Sequence, residues 1–360
     1  MALTLPARAD HSMSLKLVTP HAPLPAVEWP TVALIGLIYA SFLGLTYFHE
    51  AIPLWLWVPL AAWISAWWGS VQHEVLHGHP TRHRGLNTAL AMPPIWLWLP
   101  FECYRKSHLT HHRDERLTDP LDDPESRYWT PDGWKELGTA GRFLVSIQAT
   151  LLGRLVLGPI WSPGRFWVEE IRKIRRGDLA HCRIWAWHAL WVALLLSWVL
   201  VVCGVPLWQY LLGFAYLGTA LTLVRSFAEH KARDHVEQRT AIVEDSPILG
   251  LVFLHNNLHV VHHRWPSMPW YRIPRVYAEN RDAVLRENGG LVYRGYQEVF
   301  RRFLFTAHDA LVHPRERAPM HTDYAGNGYS AALASLSQAS VPENCDDVAG
   351  ANPLISSIAA

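Results

Sequence analysis

The stretch His108-Leu109-Thr110-His111-His112 decides the interpretation of this chain, because the same HxxHH pattern returns at His259-Val260-Val261-His262-His263. A related HxxxH pattern, His73-Glu74-Val75-Leu76-His77, stands earlier. Imidazole is the commonest transition-metal ligand in proteins, and each neutral ring offers one lone pair. The three groups hold more histidines than one four-coordinate zinc needs. The sequence therefore predicts a site with two metal ions in nitrogen-dominated ligand shells.

The spacing within each group brings its imidazoles together. Residues three or four positions apart lie on one face of a helix, and every histidine in the three groups has a partner at one of these spacings. His230 joins them because it follows the last strongly apolar segment, where a helix would emerge beside the others. The predicted metal ligands are His73, His77, His108, His111, His112, His230, His259, His262 and His263. His79, His83 and His255 stay open as weaker candidates.

The composition indicates a membrane protein. The chain has 360 residues, of which 50% are hydrophobic, 18% are charged and 19 are tryptophan. Soluble domains carry about 25% charged residues, and tryptophan is enriched where membrane helices meet water. The net charge of +1 gives no reason to expect a nucleic-acid partner. Cys103, Cys182, Cys203 and Cys345 form no CxxC pair, which argues against a disulfide framework, a zinc ribbon or a fused iron–sulfur domain.

Four apolar segments are long enough to cross a bilayer as helices, which takes roughly 20 residues. They are residues 31–48, 52–69, 184–202 and 207–224. Residues 86–101 are also apolar, but prolines interrupt them, so we predict a re-entrant or interfacial stretch there. Residues 143–161 include Arg154 and are predicted to lie on the membrane surface.

The distribution of positive charge predicts the orientation of these spans. Lysine and arginine are abundant between the second and third spans and after the fourth, whereas the connections near residues 49–50 and 203–206 contain none. The positive-inside rule then places both termini and every histidine group on the cytoplasmic side of what we expect to be a bacterial inner membrane. The predicted fold class is an all-α integral membrane protein, with four transmembrane helices and a cytoplasmic helical cap that holds the metals.

One folded domain is predicted between two loose segments. Residues 1–28 lack a hydrophobic period and are interpreted as a flexible N-terminal segment. Residues 29–313 contain the spans and all the predicted ligands, and they form the membrane domain. Residues 314–360 are rich in Ala, Ser, Gly, Asn and Pro, a composition typical of disorder.

The three histidine groups, in this order and spacing, resemble those of the membrane fatty acid desaturase and hydroxylase superfamily. The likeness covers about residues 31–302, and His230 matches the additional histidine that the family has after its fourth span. The resemblance implies a di-iron centre in a cytoplasmic cap, with O2 as co-substrate. It also implies that Asn256 or Asn257 corresponds to an asparagine that holds a bridging water in some members.

Carboxylates near the histidines are candidates for a supporting role. Histidine ligands usually donate their second ring N–H to a carboxylate or a carbonyl. Glu74 and Glu229 are the preferred partners, because each adjoins a predicted ligand at a helix end. The other candidates are Asp114, Asp119, Asp122 and Asp123. Each of these acids is also typical of a solvated loop.

The resemblance leaves the reaction open. We expect O2-dependent desaturation of an acyl chain, and the alternative is a hydroxylase or ketolase that acts on an alkyl chain or a carotenoid. Residues 118–124 and 264–274 resemble the carotenoid branch, and the third group opens with histidine rather than the glutamine of front-end desaturases. The chain has no HPGG haem-binding motif. We therefore expect a separate electron donor, such as ferredoxin or rubredoxin with its reductase, besides a lipid or acyl substrate and the membrane.

Two other classes of metalloprotein fit the sequence less well. Metal transporters place polar ligands at mid-membrane in broken helices, whereas these spans hold few ionisable groups, with His188 the main exception. Zinc hydrolases use HExxH, which is one residue shorter than the pattern from His73 to His77. The tryptophans of the second span are expected either to line a substrate tunnel or to serve packing and the membrane interface; they are Trp57, Trp63, Trp67 and Trp68.

Overall fold

The computed structural model describes residues 23–314, so most of the loose segments expected at residues 1–28 and 314–360 lies outside this range. In chain order the helices are α1 (Trp29–Tyr47), α2 (Leu54–Leu76), α3 (Arg84–Ala91), α4 (Phe101–His111), α5 (Pro131–Glu136), α6 (Thr139–Gln148), α7 (Leu151–Arg175), α8 (Leu179–Val202), α9 (Leu207–Ala228), α10 (Pro247–Val252), α11 (His259–Arg264), α12 (Ile273–Glu287) and α13 (Tyr296–Phe303). Single 3-10 turns occupy His49–Ala51, Asp114–Arg116, Val236–Gln238 and Trp270–Arg272.

Within the described range, four helices are long and apolar enough to cross a membrane, namely α1, α2, α8 and α9. These four candidate spans coincide with the four that the sequence predicts. Proline marks two of the helix starts, since Pro53 precedes α2 and Pro206 precedes α9, and a missing backbone N–H is harmless at a helix N-terminus. α2 continues past its expected end at residue 69 to Leu76, and α9 continues past residue 224 to Ala228. These extensions lead the chain directly to its histidines.

Small residues bring α2 and α9 into close contact. A β-carbon on Gly218 would lie 2.3 Å from Oγ of Ser65, and one on Gly213 would lie 2.7 Å from the ring of Trp57. Oγ of Ser65 also donates to the carbonyl of Phe214 at 2.6 Å. Glycine has no side chain at these two positions, so the two helices can approach closely, and a larger residue would not fit at either position. This packing fixes the relative position of their histidine-bearing ends.

The tryptophans of α2 have packing contacts. Trp57 and Trp68 are fully buried, and Nε1 of Trp57 donates to the carbonyl of Leu45 at 2.9 Å. Nε1 of Trp67 donates to the carbonyl of Leu251 at 3.0 Å. Of the two roles expected for these rings, the contacts favour packing, and a substrate tunnel along them stays a prediction.

Two further apolar segments differ from a straight span. Residues 86–101 include most of α3 and then an irregular proline-containing stretch, so no continuous helix crosses there, as expected. Residues 143–161, expected as one surface segment, instead divide between α6 and α7, which bend by 113°. Thr150 is the N-cap of α7 at this bend, because its hydroxyl accepts the N–H of Gly153 at 3.1 Å. Taken as one broken span, α6 and α7 would be a fifth candidate.

The segments that follow α2 and α9, residues 77–138 and 229–314, contain all the predicted metal ligands except His73 and are called the cap. Part of its core consists of buried Val261, Ile273 and Val284. Two short strands, β1 (Ile242–Val243) and β2 (Val292–Tyr293), pair in parallel within the cap, which is a small departure from the predicted all-α class. The pairing satisfies backbone groups that the loops between cap helices would otherwise leave unpaired.

Contacts between distant segments begin just before α1. Glu28 is buried, and its Oε1 lies 2.6 Å from Nδ1 of His79. Val27 forms a backbone bridge with Thr81. The residues just before α1 therefore pack against the loop that follows α2, a contact that local sequence does not reveal.

Replacing Gly218 with alanine should lower the melting temperature of the detergent-solubilised protein. Its β-carbon would overlap Ser65, and overpacking of this kind costs about 1–3 kcal/mol. Gly36→Ala in α1 is the matched control, since a β-carbon there meets nothing within 4 Å. Alanine in open helix surface is neutral or stabilising by up to about 1 kcal/mol. Equal melting temperatures for the two variants would contradict close α2–α9 packing.

Candidate metal centre

Five of the predicted histidines come together beside the end of α2. This first group consists of His73, His77, His108, His112 and His262, and one nitrogen of each lies within 4.8 Å of those of the others. The rings of His73 and His77 lie one helical turn apart, with centroids separated by 5.0 Å. Nε2 of His112 lies 2.9 Å from Nε2 of His108 and 2.9 Å from Nε2 of His262.

The other four predicted histidines form a second group next to the first. It consists of His111, His230, His259 and His263, again with one nitrogen of each within 4.8 Å of the others. Nε2 of His230 lies 3.1 Å from Nε2 of His111 and 3.0 Å from Nε2 of His259. Each HxxHH helix, α4 and α11, contributes to both groups. The rings of His112 and His263 stack with centroids 4.3 Å apart, so the groups share a boundary.

Two carboxylates hold the outer nitrogens of two histidines on α4. Nδ1 of His108 lies 2.9 Å from Oε1 of Glu125, and Nδ1 of His111 lies 2.9 Å from Oδ1 of Asp123. A neutral ring that donates its Nδ1–H keeps its lone pair on Nε2. Partners of this kind fix the orientation of metal-binding histidines. In both rings, Nε2 is the atom that faces the other histidines.

Asn256 and Glu229, two of the predicted supporting residues, both face His259. Nδ1 of His259 lies 2.8 Å from Oδ1 of Asn256 and 3.4 Å from Oε1 of Glu229. Nδ2 of Asn256 also lies 3.2 Å from Nε2 of His73, so this side chain connects the two groups. Glu229 is balanced by Arg225, whose Nε lies 2.7 Å from its Oε1.

The first group has more nitrogen lone pairs than hydrogens to share among them. With its Nδ1–H donated to Glu125, His108 presents a lone pair on Nε2 toward His112. Because Nε2 of His112 either carries one hydrogen or offers one lone pair, at most one of its two 2.9 Å contacts can be a hydrogen bond, and the other contact leaves a nitrogen lone pair without a hydrogen. Nε2 of His77 is also buried, with no hydrogen-bond partner among residues 23–314. A cation would accept these lone pairs, and nitrogen separations near 3 Å suit ligands about 2.1 Å from a metal.

The charge states of the rings also fit a metal. Burial and neighbouring histidines lower the pKa well below its usual value in His77, His112, His230, His259 and His262. These rings are neutral at neutral pH and need to lose no proton before they bind a metal. Burial also lowers the pKa of His111, but the charges of Glu125 and Asp123 outweigh burial and raise it to about 9. The two carboxylates therefore favour a positive charge beside His111, and a metal ion would supply one.

Comparison with known families bears on the same residues. A model of the family described as Fatty acid desaturase matches residues 50–296, which is more than half of the chain and includes all nine histidines. This chain belongs to the fatty acid desaturase family. A search of the curated proteins finds no match. As a family member, the chain is a membrane oxidoreductase of the desaturase or hydroxylase type, in a family that is typically iron-dependent.

Sequence reasoning missed one carboxylate of this desaturase-family centre. Glu125 contacts His108, yet it was not among the candidate acids, whereas Asp123 was. Asp119 accepts two backbone N–H groups of its own loop, and Asp122 pairs with Arg116. The acid-rich run after the second histidine group was the available signal. Which of these acids contacts a histidine ring depends on the fold of the loop that follows α4, and the sequence pattern does not show that fold.

The side chains of Glu74 and Asn257 have partners other than histidine rings. Oε2 of Glu74 accepts the backbone N–H of Trp270 at 3.1 Å. Nδ2 of Asn257 donates to the carbonyl of Val243 at 2.6 Å, which ties it to β1. Of the two asparagines left open by the sequence, Asn256 is therefore the one at the histidines. Adjacent residues in a turn point in different directions, and sequence alone does not rank them.

The weaker histidine candidates lie outside both groups. His79 pairs with Glu28, and His255 stacks on a tryptophan ring of the cap with centroids 6.0 Å apart. His83 is exposed just before α3. The side chain of the candidate acid Asp114 lies outside the described part of the chain.

Changing Glu125 to glutamine should lower the affinity of the centre for iron by roughly 10–100-fold, the usual effect of losing a partner that orients a metal-binding histidine. The amide can still accept from Nδ1 of His108, but the negative charge is gone. Asp122→Asn is the matched control, because Asp122 pairs with Arg116. Iron retained per chain against a graded series of chelator measures the effect. Equal retention in both variants would contradict the role assigned to Glu125.

Proposed function

We propose that this member of the fatty acid desaturase family introduces a double bond into the acyl chain of a membrane lipid or its precursor. The observation that carries the proposal is that nine histidines form two adjacent groups, one of five rings and one of four, beside the ends of apolar helices. Nitrogen-rich shells that leave a position open suit iron that must also meet oxygen. Two irons held there would supply the oxidising power to take hydrogen from an unactivated methylene.

The proposed reaction balances with one O2 and two external electrons. A saturated pair of methylenes loses two hydrogen atoms and becomes an alkene. Dioxygen takes up those two hydrogens together with two electrons and two protons, and it leaves as two water molecules. We assign the electrons to a separate donor such as ferredoxin or rubredoxin with its reductase, because the chain has no haem-binding motif and no CxxC pair.

The chain's own residues hold the centre and keep it dry. Asp123, Glu125 and Asn256 fix the outer nitrogens of three rings and so keep Nε2 of each directed inward. His73 and His259 are 1% exposed. Exclusion of bulk water strengthens the electrostatic contacts of the site and limits side reactions of strongly oxidising chemistry.

The position of α2 suits a lipid-soluble substrate. The helix carries His73 directly after an apolar stretch in which Trp68 and Val71 are fully buried. An alkyl chain that enters between the spans would reach the ligand-bearing end of α2 without crossing water. We place that end, with both termini, on the cytoplasmic side of a bacterial inner membrane, where a soluble electron donor has access.

A hydroxylase or ketolase is the second candidate function. Residues 118–124 and 264–274 resemble carotenoid-modifying members of the superfamily. Asp123 of the first stretch contacts His111, and the second stretch directly follows α11. Both stretches therefore adjoin the histidines, where they would affect how a substrate is placed. The same centre could insert an oxygen atom instead of removing two hydrogens.

Lipid mass spectrometry on a bacterial host that expresses the chain with a donor and reductase tests the proposal. We expect a new lipid species lighter by two hydrogen atoms. His262→Ala should abolish this product, because it removes a ring of the first group, whereas His83→Ala should keep it, since His83 is exposed outside both groups.

The mass of the product separates the two candidate functions. A product heavier by one oxygen atom would show that the reaction is hydroxylation and not desaturation. Unchanged lipids in a host that loads the chain with iron and supplies electrons would contradict an acyl-lipid substrate. An undiminished product in His262→Ala would contradict the ligand assignment.

A further inference from the structure

A third cluster of metal-ligating side chains lies where α4, α7 and α8 meet. It consists of Cys103 in the first turn of α4, Glu170 near the end of α7 and His181 in the first turn of α8. One ligand atom of each lies within 4.8 Å of the others, and the residues are 7%, 2% and 5% exposed. We propose that these three side chains bind a structural zinc ion, independently of the histidine centre.

The separations within this cluster match tetrahedral zinc. Sγ of Cys103 lies 3.4 Å from Oε2 of Glu170, and Nε2 of His181 lies 3.7 Å from the same oxygen. Zinc bonds of about 2.3 Å to sulfur and about 2.0–2.2 Å to nitrogen and oxygen place such ligand pairs about 3.4–3.6 Å apart in a tetrahedron. A mixed sulfur, nitrogen and oxygen set is one that zinc accepts.

Asp178 orients His181 as a metal-binding histidine is usually oriented. Oδ2 of Asp178 lies 2.7 Å from Nδ1 of the ring, and Oδ1 accepts the backbone N–H of His181 at 3.1 Å as the cap of α8. A hydrogen held on Nδ1 leaves a lone pair on Nε2. That lone pair faces a carboxylate oxygen of Glu170 across 3.7 Å, which is too long for a hydrogen bond. A cation between these two atoms would bind both the ring lone pair and the carboxylate oxygen.

The other partners of Glu170 are compatible with a metal. Nζ of Lys173 lies 2.6 Å from Oε1, and Nε1 of Trp185 donates to Oε2 at 3.2 Å. Without a metal, the thiol of Cys103 also donates to Oε2. Zinc binding would break this S–H bond, release its proton to solvent and form a zinc–sulfur bond, with no change of oxidation state.

The ion would tie the first turn of α4 to the turn between α7 and α8. Cys103 and His108 are five positions apart on α4, about 7.5 Å along the helix, so the two sites are separate. α4 and His112, which directly follows it, supply three histidines to the centre, and the zinc would hold this helix at its opposite end. The assigned role is structural because the ion would join three helices; the three protein ligands would leave its fourth position to water.

Cobalt substitution tests this site apart from the histidine centre. Full-length protein in detergent, produced with cobalt in place of zinc, should show sulfur-to-cobalt charge-transfer absorption in the near ultraviolet at one sulfur-bound cobalt per chain. The nine histidines contain no sulfur and cannot give this signal. Cys103→Ser should remove the absorption, and Cys182→Ser, beside His181 but outside the cluster, should keep it.

Iron content and gel-filtration profile show that each variant is folded. His181→Gln is the second variant, in case Cys103→Ser fails to fold, and it should weaken the absorption by loss of the nitrogen ligand. A wild-type protein without the absorption, and without zinc when isolated from unsupplemented medium, would show a hydrogen-bonded cluster only and overturn the proposal. Absorption that persists in Cys103→Ser or disappears in Cys182→Ser would overturn it as well.

Discussion

The convergence of nine imidazoles, six of them buried and three half-buried, is the constraint on which the rest of this structure depends. A buried polar atom without a partner costs about 1–3 kcal/mol, and several Nε2 atoms here face one another rather than a donor. Bound cations would convert that mutual repulsion into attraction. Folding of the cap and metal binding would therefore be thermodynamically linked, because the arrangement of the rings is unfavourable without a cation.

The helices outside the centre place its histidines. α2 and α9 approach through Gly213 and Gly218, and each continues beyond its apolar part toward the histidines. The HxxHH helices α4 and α11 then divide their rings between the two groups. Acids and an amide from loops hold the outer nitrogens. Rigid helices thus set the ligand positions, while the loops set the ring orientations and the local charge.

The parts of this architecture that follow from helical spacing could be predicted from the sequence. The four spans are continuous apolar runs, and the nine histidines recur at spacings that a helix brings to one face, so the structure brings all nine into two adjacent groups. Their role as metal ligands stays a prediction.

The contacts made by loops could not be predicted in the same way. Glu125 reaches His108 and Asn257 turns to β1 because of loop geometry. The contact of Glu28 with His79 joins segments that no local pattern connects.

The claim that two metal ions share the nine histidines is tested most directly by X-ray absorption at the iron edge on the full-length protein, with iron quantified per chain. The account predicts two irons per chain, ligand shells of nitrogen and oxygen without sulfur, and an iron–iron scattering contribution. One iron per chain, or sulfur in the shell, would contradict it.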